Sequence, residues 1–561
     1  MIDYVDQFLI MAIFAMSLNL LTGVAGQVSV AHAAFGGVGG FLAGYLALKH
    51  GWSFVPAVLV AIPAGCLFGA AVGLPALMLS TEHLILLTLA VQTASVAVIL
   101  SIPALGGVYG LVGLPAPELA GKTFLTPPQY FPLLLVVALI VLGVCLAISH
   151  SRFGRVLRGI REDETATRSL GQNVFAYKVV IFAVTSGMAA LAGALLVFYS
   201  GIAAPQVFDL SLTIAIVAMI VVGGTGNLAG ALLGAGIIVG STPFFQSVIN
   251  LSAETTSLVR QVAYGAILVG VLMVRPSGLL PEGVRLRRSS SRAAPGGPGT
   301  ANDTPPEVAA PTPDLQVVRG EPAEVIAAVE PYALVEVRRL SKTFGGIRAV
   351  DGLDLTLDAG KITGLIGPNG AGKTTVFNLL TGATKPDAGT VVLRGTDITG
   401  WSPNRVAVAG MARSFQDVRI FAGLTVLENV RMCGCTRDEA RAQLAGVGLE
   451  GSSDLLAGSL SFGEQKLVAL ARLLATNASV LLLDEPASGI DAGWVDTMLE
   501  IVAGLRRPDR AICIVEHNLH VVERLADRVC FMENGQVTAE GTMEDLAKDP
   551  RLTEVYFGAA V

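Results

Sequence analysis

The sequence predicts an all-α polytopic membrane helix bundle of about 8–9 spans followed by an α/β domain with parallel central strands. Three observations predict it. The 561 residues have a mean hydropathy of +0.64 with only 15% charged side chains, far from soluble averages. That hydropathy is unevenly divided, since residues 1–275 hold long uncharged runs whereas 330–561 have ordinary globular polarity. Beyond the division, short β-branched runs alternate with amphipathic stretches. The length also exceeds one ordinary core, so at least two domains are expected.

Apolar stretches long enough to cross about 30 Å of hydrocarbon lie near residues 4–22, 28–48, 54–79, 84–102, 131–149, 178–201, 211–224, 228–248 and 258–275. Asp3 and Asp6 stand where an export signal would carry basic residues, so the first run reads as a retained span. The stretch at 211–224 is short and runs into Gly223-Gly224-Thr225-Gly226, which suits a broken or re-entrant helix as well as a full span. Arg152, Arg155, Arg158, Arg161 and Arg168 follow one span, and Arg275, Arg285, Arg287, Arg288 and Arg292 follow the last; both loops are expected in the cytoplasm. Four stretches separate them, the even number that this requires. His32, Glu82 and His83 lie in or beside apolar spans and are candidates for a substrate path or for internal partners. Glycines 36, 37, 39 and 40 read as close helix packing. Six cysteines, at 66, 145, 433, 435, 513 and 530, include no CxxC pair and are expected as buried thiols.

Residues 285–331 are rich in Pro, Ala, Ser and Gly, with too few large apolar side chains for a core, and read as a disordered linker. The expected domains are therefore 1–284 in the membrane, 285–331 as tether and 332–561 as the α/β domain. Its strands are expected at 361–366, 480–483 and 511–515.

The strongest chemical signal is Gly367-Pro368-Asn369-Gly370-Ala371-Gly372-Lys373-Thr374-Thr375, a GxxxxGK[ST] match between an apolar strand and a helical run. Glycines let backbone N–H groups wrap phosphates at a helix N-terminus, where the dipole favours negative charge. Lys373 then meets the β/γ-phosphates of ATP and Thr374 ligates Mg²⁺. A second strand ends in Asp484-Glu485, at the carboxyl edge where α/β folds bind ligands. Asp484 suits Mg²⁺ coordination and Glu485 suits general-base activation of water. Alone, such a pair would more often cap the next helix.

Between and after these lie Gln416 in ARSFQDVRIF, the run Leu460-Ser461-Phe462-Gly463-Glu464-Gln465, and Glu516-His517 after AICIV. With them the segment from about 334 to 561 resembles an ABC-transporter nucleotide-binding domain, a P-loop NTPase with a helical subdomain. The resemblance implies that Gln416 is the Q-loop glutamine, a metal and water contact, and that 461–465 is the signature. It implies that Ser488-Gly489-Ile490-Asp491 is the D-loop, His517 the switch histidine, and Phe344 the aromatic that stacks on adenine. Ser461 also reads as a helix N-cap, with Glu464 completing a capping box. Both readings hold together, because the resemblance puts Ser461 and Gly463 opposite the nucleotide of a second ATPase domain.

LIGPNGAGKTTVFNLLTG, GMARSFQDVRIFAGLTVLENV and GTMEDLAKDPRLTEVYFG are similar to ATPases of branched-chain amino acid importers, though 430–461 is shorter than usual in that group. LTGVAGQVSVAHAAFGGVGGFLAGY, FAVTSGMAALAGALL and VVGGTGNLAGALLGA resemble the matching permease. SRFGRVLRGIREDETATRSLGQN resembles its cytoplasmic coupling segment, in which Arg155, Arg158 and Arg161 recur at i,i+3 and Glu164 faces Arg168 at i,i+4. On charge alone this is a solvated basic loop; the resemblance implies a short helix that docks on an ATPase domain.

The implied function is ATP-driven import of amino acids, most simply branched-chain ones, by a fused permease and ATPase that forms half a transporter. Implied partners are a second permease and ATPase half, of the same or a different sequence, an extracytoplasmic substrate-binding protein and the lipid membrane; no nucleic-acid partner is expected. The implied location is the cytoplasmic (inner) membrane, with the ATPase domain inside. The alternatives are the same architecture carrying urea, amides or other organic acids, an ABC exporter, or a soluble ABC ATPase.

Overall fold

The structure, a computed structural model, describes residues 2–76, 81–119, 121–247, 332–489 and 492–549, with isolated positions between 262 and 282. The expected tether and the end of the chain lie outside the described residues, as does most of the apolar stretch near 258–275. By its contacts the chain divides into two units, Met1–Arg161 with Phe175–Pro305, and Glu162–Val174 with Pro306–Val561. The contiguous boundary expected at 284 therefore misses one excursion: a short stretch of the N-terminal half belongs to the second unit.

The first unit is helical. In chain order it contains α1 (Ile2–Leu18), extended by a π-turn over Asn19–Val24, then α2 (His32–His50), α3 (Phe54–Ala76), α4 (Thr81–Ser101) and α5 (Pro127–His150). After α6 (Arg152–Glu162) and α7 (Glu164–Ser169) come α8 (Val174–Ser200), α9 (Leu210–Gly223) and α10 (Leu228–Ser247). Four two-residue strands, β1 (Leu111–Val112), β2 (Glu118–Leu119), β3 (Lys122–Thr123) and β4 (Ile202–Ala203), form two short antiparallel ladders, β1 with β4 and β2 with β3. Among the described residues, five helices are long and apolar enough to cross a membrane, those within 3–24, 54–75, 82–101, 127–150 and 174–200. The shorter apolar helix α9 has 14 residues, roughly 21 Å at 1.5 Å per residue. It ends at Gly223 with Gly224 as its C-cap, and α10 begins at Leu228, so the glycine-rich stretch 223–226 separates two helices.

Small residues bring the helices together. A Cβ on Gly39 would stand 2.2 Å from the carbonyl oxygen of Ala190, and one on Gly193 1.9 Å from that of Gly36, so α2 and α8 touch backbone to backbone, as the glycine spacing suggested. Some buried polar groups inside this unit bond one another. The Gln92 side-chain oxygen accepts from Ala34 N–H at 2.8 Å while its amide nitrogen donates to Phe208 O at 2.8 Å, and Thr213 Oγ1 accepts from Ala33 N–H at 3.1 Å. His32 lies in this interior, fully buried, 2.8 Å from Ser17 Oγ.

The second unit is α/β. Its strands are β5 (Ala333–Phe344), β6 (Ile347–Asp358), β7 (Ile362–Ile366), β8 (Ala388–Leu393), β9 (Thr396–Asp397), β10 (Met411–Arg413), β11 (Val480–Asp484), β12 (Ala511–Val515), β13 (Arg528–Glu533) and β14 (Gln536–Gly541). Its helices are α11 (Lys373–Leu380), α12 (Pro403–Val408), α13 (Val426–Val430), α14 (Arg437–Gly446), α15 (Phe462–Leu474), α16 (Ala492–Gly504), α17 (Leu519–Leu525) and α18 (Met543–Ala547). The main sheet runs β10-β11-β12-β7-β13-β14, parallel except for the last pair, and β5, β6, β8 and β9 form a separate antiparallel sheet. Every residue of β7, β11 and β12 is buried, which explains why they read as unbroken apolar runs instead of alternating ones. One core packs the antiparallel sheet and α11 against this sheet; a second packs α13, α14, α15 and α16 against it. All carboxyl ends of the parallel strands thus lie on one edge, which positions the site.

Candidate active site

The glycine loop begins where β7 ends and closes on the first turn of α11. Gly367 has φ +149° and Gly372 φ +102°, and a Cβ would stand 2.0 Å from Met532 O at the first and 2.2 Å from Ala349 O at the second. Only glycine fits either position. The loop's other face is open: Asn369, Gly370 and Thr374 are exposed, and a Cβ on Gly370 would meet nothing within 4 Å. Lys373 Nζ folds back onto Gly367 O at 2.7 Å and Pro368 O at 2.9 Å. Burial holds its pKa below the usual lysine value, against the pull of Glu485 and Asp484 nearby.

Asp484 and Glu485 close β11. Asp484 is buried and pairs with Arg413 at 2.7 Å, while its N–H donates to Ser414 Oγ at 2.9 Å. Glu485 takes a left-handed backbone, φ +47°, uncommon for a residue with a side chain and a frequent mark of functional sites. Its carboxylate is held from two sides: Gln416 Nε2 donates to Oε2 at 3.2 Å, and His517 Nε2 lies 2.9 Å from Oε1. The structure thus joins Gln416, Glu485 and His517 in one cluster, with Lys373 and Asp484 close enough for their charges to interact. Ser461 is instead occupied with its own helix. It caps α15, accepting from Glu464 N–H at 3.4 Å and donating to Glu464 Oε2 at 2.7 Å, while Gly463 lies in the first turn. Phe344 ends β5 half-exposed, with Lys342 Nζ 5.4 Å from its ring centre. Of the expected D-loop, Ser488 and Gly489 are described, whereas 490 and 491 are not.

Three residues support this cluster to which the sequence reading gave no role. Arg413 holds Asp484. Lys466 Nζ reaches the carbonyls of Glu485, Pro486 and Ser488, pinning the turn that follows β11. Glu516 accepts from Ala487 N–H at 2.9 Å, and burial raises its pKa. One signal was available: a charged residue closing an apolar strand, as Arg413 closes β10, needs a buried partner.

The excursion 162–174 meets the same unit near its helical part. Asp163 caps α7, accepting from Ala166 N–H at 2.8 Å, and pairs with Arg419 at 2.9 Å. Gly423 N–H donates to both Glu162 carboxylate oxygens at 3.1 and 3.2 Å, and Gln172 Nε2 donates to Met432 O at 2.8 Å. Arg472 is buried here, its pKa lowered to about 10 by burial and supported by the charge of Asp163. A cavity of about 50 Å³ takes wall from Ser169, Leu170, Phe415, Arg419, Asp484 and Glu485, so the excursion and the carboxylates share one space. Two of the arginines that drew attention in the sequence pair elsewhere. Arg161 pairs with Glu282 at 2.7 Å in the first unit, and Arg168 with Glu164 on α7.

A fully buried strand, a glycine loop on a helix N-terminus and a carboxylate cluster tied by glutamine and histidine define an ATP-hydrolysing P-loop domain of the ABC type. The model of the family described as branched-chain amino acid transport system / permease component matches residues 1–275, and that of the ABC transporter family matches 350–488. The chain belongs to the ABC transporters of the branched-chain amino acid group, a permease region joined to an ATPase. Among curated relatives, the high-affinity branched-chain amino acid transport ATP-binding protein LivG of Escherichia coli K12 is 34% identical over 251 residues, 40% of this chain and 98% of that protein. The probable counterpart from Archaeoglobus fulgidus is 33% identical over 40% of this chain and 96% of its own length. A solved nucleotide-free ATP-binding cassette from an ABC transporter is 30% identical, covering 40% of this chain and 99% of that one, with a TM-score of 0.38.

Proposed function

We propose that this chain is half of an ATP-driven importer of amino acids, branched-chain ones first, in the cytoplasmic membrane. The observation that carries it is the seating of residues 162–174 against Arg419, Gly423 and Met432, within reach of the carboxylate cluster. A segment flanked by the long apolar helices α5 and α8 is thereby tied to the machinery of hydrolysis. If this segment is cytoplasmic, the ends of α5 and α8 remote from it face outward. So do β1, β4 and the first turn of α1, because Tyr199 Oη lies 3.4 Å from Asp3.

In the ATPase domain the glycine loop and the α11 N-terminus cradle the phosphates of ATP, and Lys373 exchanges its two carbonyl partners for phosphate oxygens. Phe344 offers a face for adenine. Thr374, Gln416 and Asp484 supply hard oxygen donors of the kind Mg²⁺ takes, and the ion, when bound, neutralises developing phosphate charge. Glu485 orients water and takes its proton, with His517 and Gln416 fixing the carboxylate. Ser461 and Gly463, at the start of α15, serve the nucleotide of a second ATPase domain. A second permease and ATPase half and an extracytoplasmic binding protein complete the system.

Glu485→Gln is expected to retain nucleotide binding while hydrolysis falls by about 10²–10⁴-fold, and Lys373→Ala is expected to weaken binding itself. Both are measurable on the full chain in detergent or vesicles. ATP hydrolysis by Glu485→Gln at the parent rate would remove the general-base role. Uptake into vesicles driven by ATP and dependent on an added binding protein tests the direction of transport. A binding protein that takes only urea or amides would replace the branched-chain substrate and leave the transporter class intact.

A further inference from the structure

Arg413 is buried where an ATPase of this kind holds its metal-side carboxylate. The Arg413 and Asp484 side chains are 5% and 1% exposed and meet at 2.7 Å. A second guanidinium nitrogen donates to Asn378 Oδ1 at 2.5 Å, on the helix that the phosphate loop opens. The rings of Phe377 and Phe415 each lie 5.5 Å from the guanidinium carbon, one on α11 and one on the loop leading to Gln416. The adjacent Ser414 accepts from Asp484 N–H. One planar cation therefore ties β10, β11 and α11 together at the carboxylate.

A buried ion pair is a poor source of net stability, because the cost of desolvating both charges is close to what their attraction returns. An apolar pair of equal volume would hold these elements as well. What an apolar pair cannot do is fix the orientation of a carboxylate, and arginine does this better than lysine because its donors form a rigid fork. Outer partners of metal-binding carboxylates act in this way, setting the direction of the ligand before the ion arrives.

We propose that Arg413 is a positioning residue for metal-dependent nucleotide binding. It aims the Asp484 carboxylate and, through Asn378, links that aim to the helix that begins at the phosphate loop. The proposal rests on the reading of Asp484 as the metal-side carboxylate, and its test separates the two.

The affinity of the full chain for trinitrophenyl-ATP is measured with Mg²⁺ and with EDTA for the parent, Arg413→Met, Arg413→Lys, Asn378→Ala and Asp484→Asn. Arg413→Met is expected to lose about tenfold or more of the Mg²⁺-dependent gain in affinity, with binding in EDTA unchanged. Arg413→Lys is expected to lose less, and Asn378→Ala to shift in the same direction by a smaller factor. Asp484→Asn is expected to abolish the gain. If Asp484→Asn abolishes it and Arg413→Met keeps it, the proposal fails and the reading of Asp484 stands. If Asp484→Asn keeps the gain, that reading fails and the proposal with it. Should Arg413→Met not fold, parent-like behaviour of both Arg413→Lys and Asn378→Ala overturns the proposal.

Discussion

At the scale of single residues, the site depends on backbone conformations that most side chains avoid. Gly372 has φ +102° and no room for a Cβ beside Ala349 O, whereas Gly370 has φ +84° and open space around it. Gly370→Ala is therefore expected to carry the conformational cost alone, and Gly372→Ala the conformational cost plus a clash, about 1–3 kcal/mol or more. Thermal unfolding of the two variants should rank Gly372→Ala below Gly370→Ala, and equal melting temperatures would contradict this account of the loop. Residues of this sort were legible in the sequence, because the phosphate loop forces type and spacing together. Glu485 was legible from its place at the end of an apolar strand, beside the phosphate loop, whereas Gln416 and His517 were legible only through resemblance, since a lone glutamine in a loop or a histidine at a strand end carries no signature of its own. Arg413 and Lys466 were not singled out, because their roles arise from β10 lying beside β11 and from α15 pointing at the turn after β11, neighbours far apart in the chain.

Among elements, strands β7, β11 and β12 lie within a residue of where their apolar runs placed them, because burial on both faces leaves a composition that nothing else produces. The membrane helices were legible as apolar runs, and α9 could be suspected of ending early because Gly223 and Gly224 interrupt it. The role of α6 and α7 was less open to reading. Arginine spacing suggested a basic face, yet the contacts made by the excursion use Glu162, Asp163 and Gln172, single residues without periodicity. The Asp163–Arg419 pair offers a test. Asp163→Arg and Arg419→Asp should each lower substrate-stimulated ATP hydrolysis in vesicles, and combining them should recover part of the loss. Their coupling energy is expected at about 0.2–1 kcal/mol, the range of partly exposed pairs. Stimulation that survives both single reversals would mean that this pair does not carry the coupling.

For the whole molecule, composition gave the order of membrane and ATPase regions, because hydropathy changes on the scale of hundreds of residues. It could not give the excursion of Glu162–Val174 into the second unit, since a contact of this sort joins residues some 250 positions apart, such as Asp163 and Arg419. A specific protease site placed between residues 300 and 310 should therefore not release a free ATPase fragment. After cleavage, the fragment beginning near 310 is expected to copurify with the membrane fragment, and Asp163→Arg should weaken that retention. Complete loss of the fragment from cleaved parent protein would contradict the interface.

The same excursion bears on inheritance and supply. When a permease and its ATPase are separate gene products, a cell sets their ratio by expression, and one ATPase can serve several permeases. Here a single translation event delivers the seat, formed by Arg419, Gly423 and Met432, together with the Glu162–Val174 stretch that occupies it, at fixed one-to-one dosage. Residues on the two sides of that contact are then inherited as one locus. A change at Asp163 and a compensating change at Arg419 travel together, so this interface is free to diverge from those of related transporters in the same membrane.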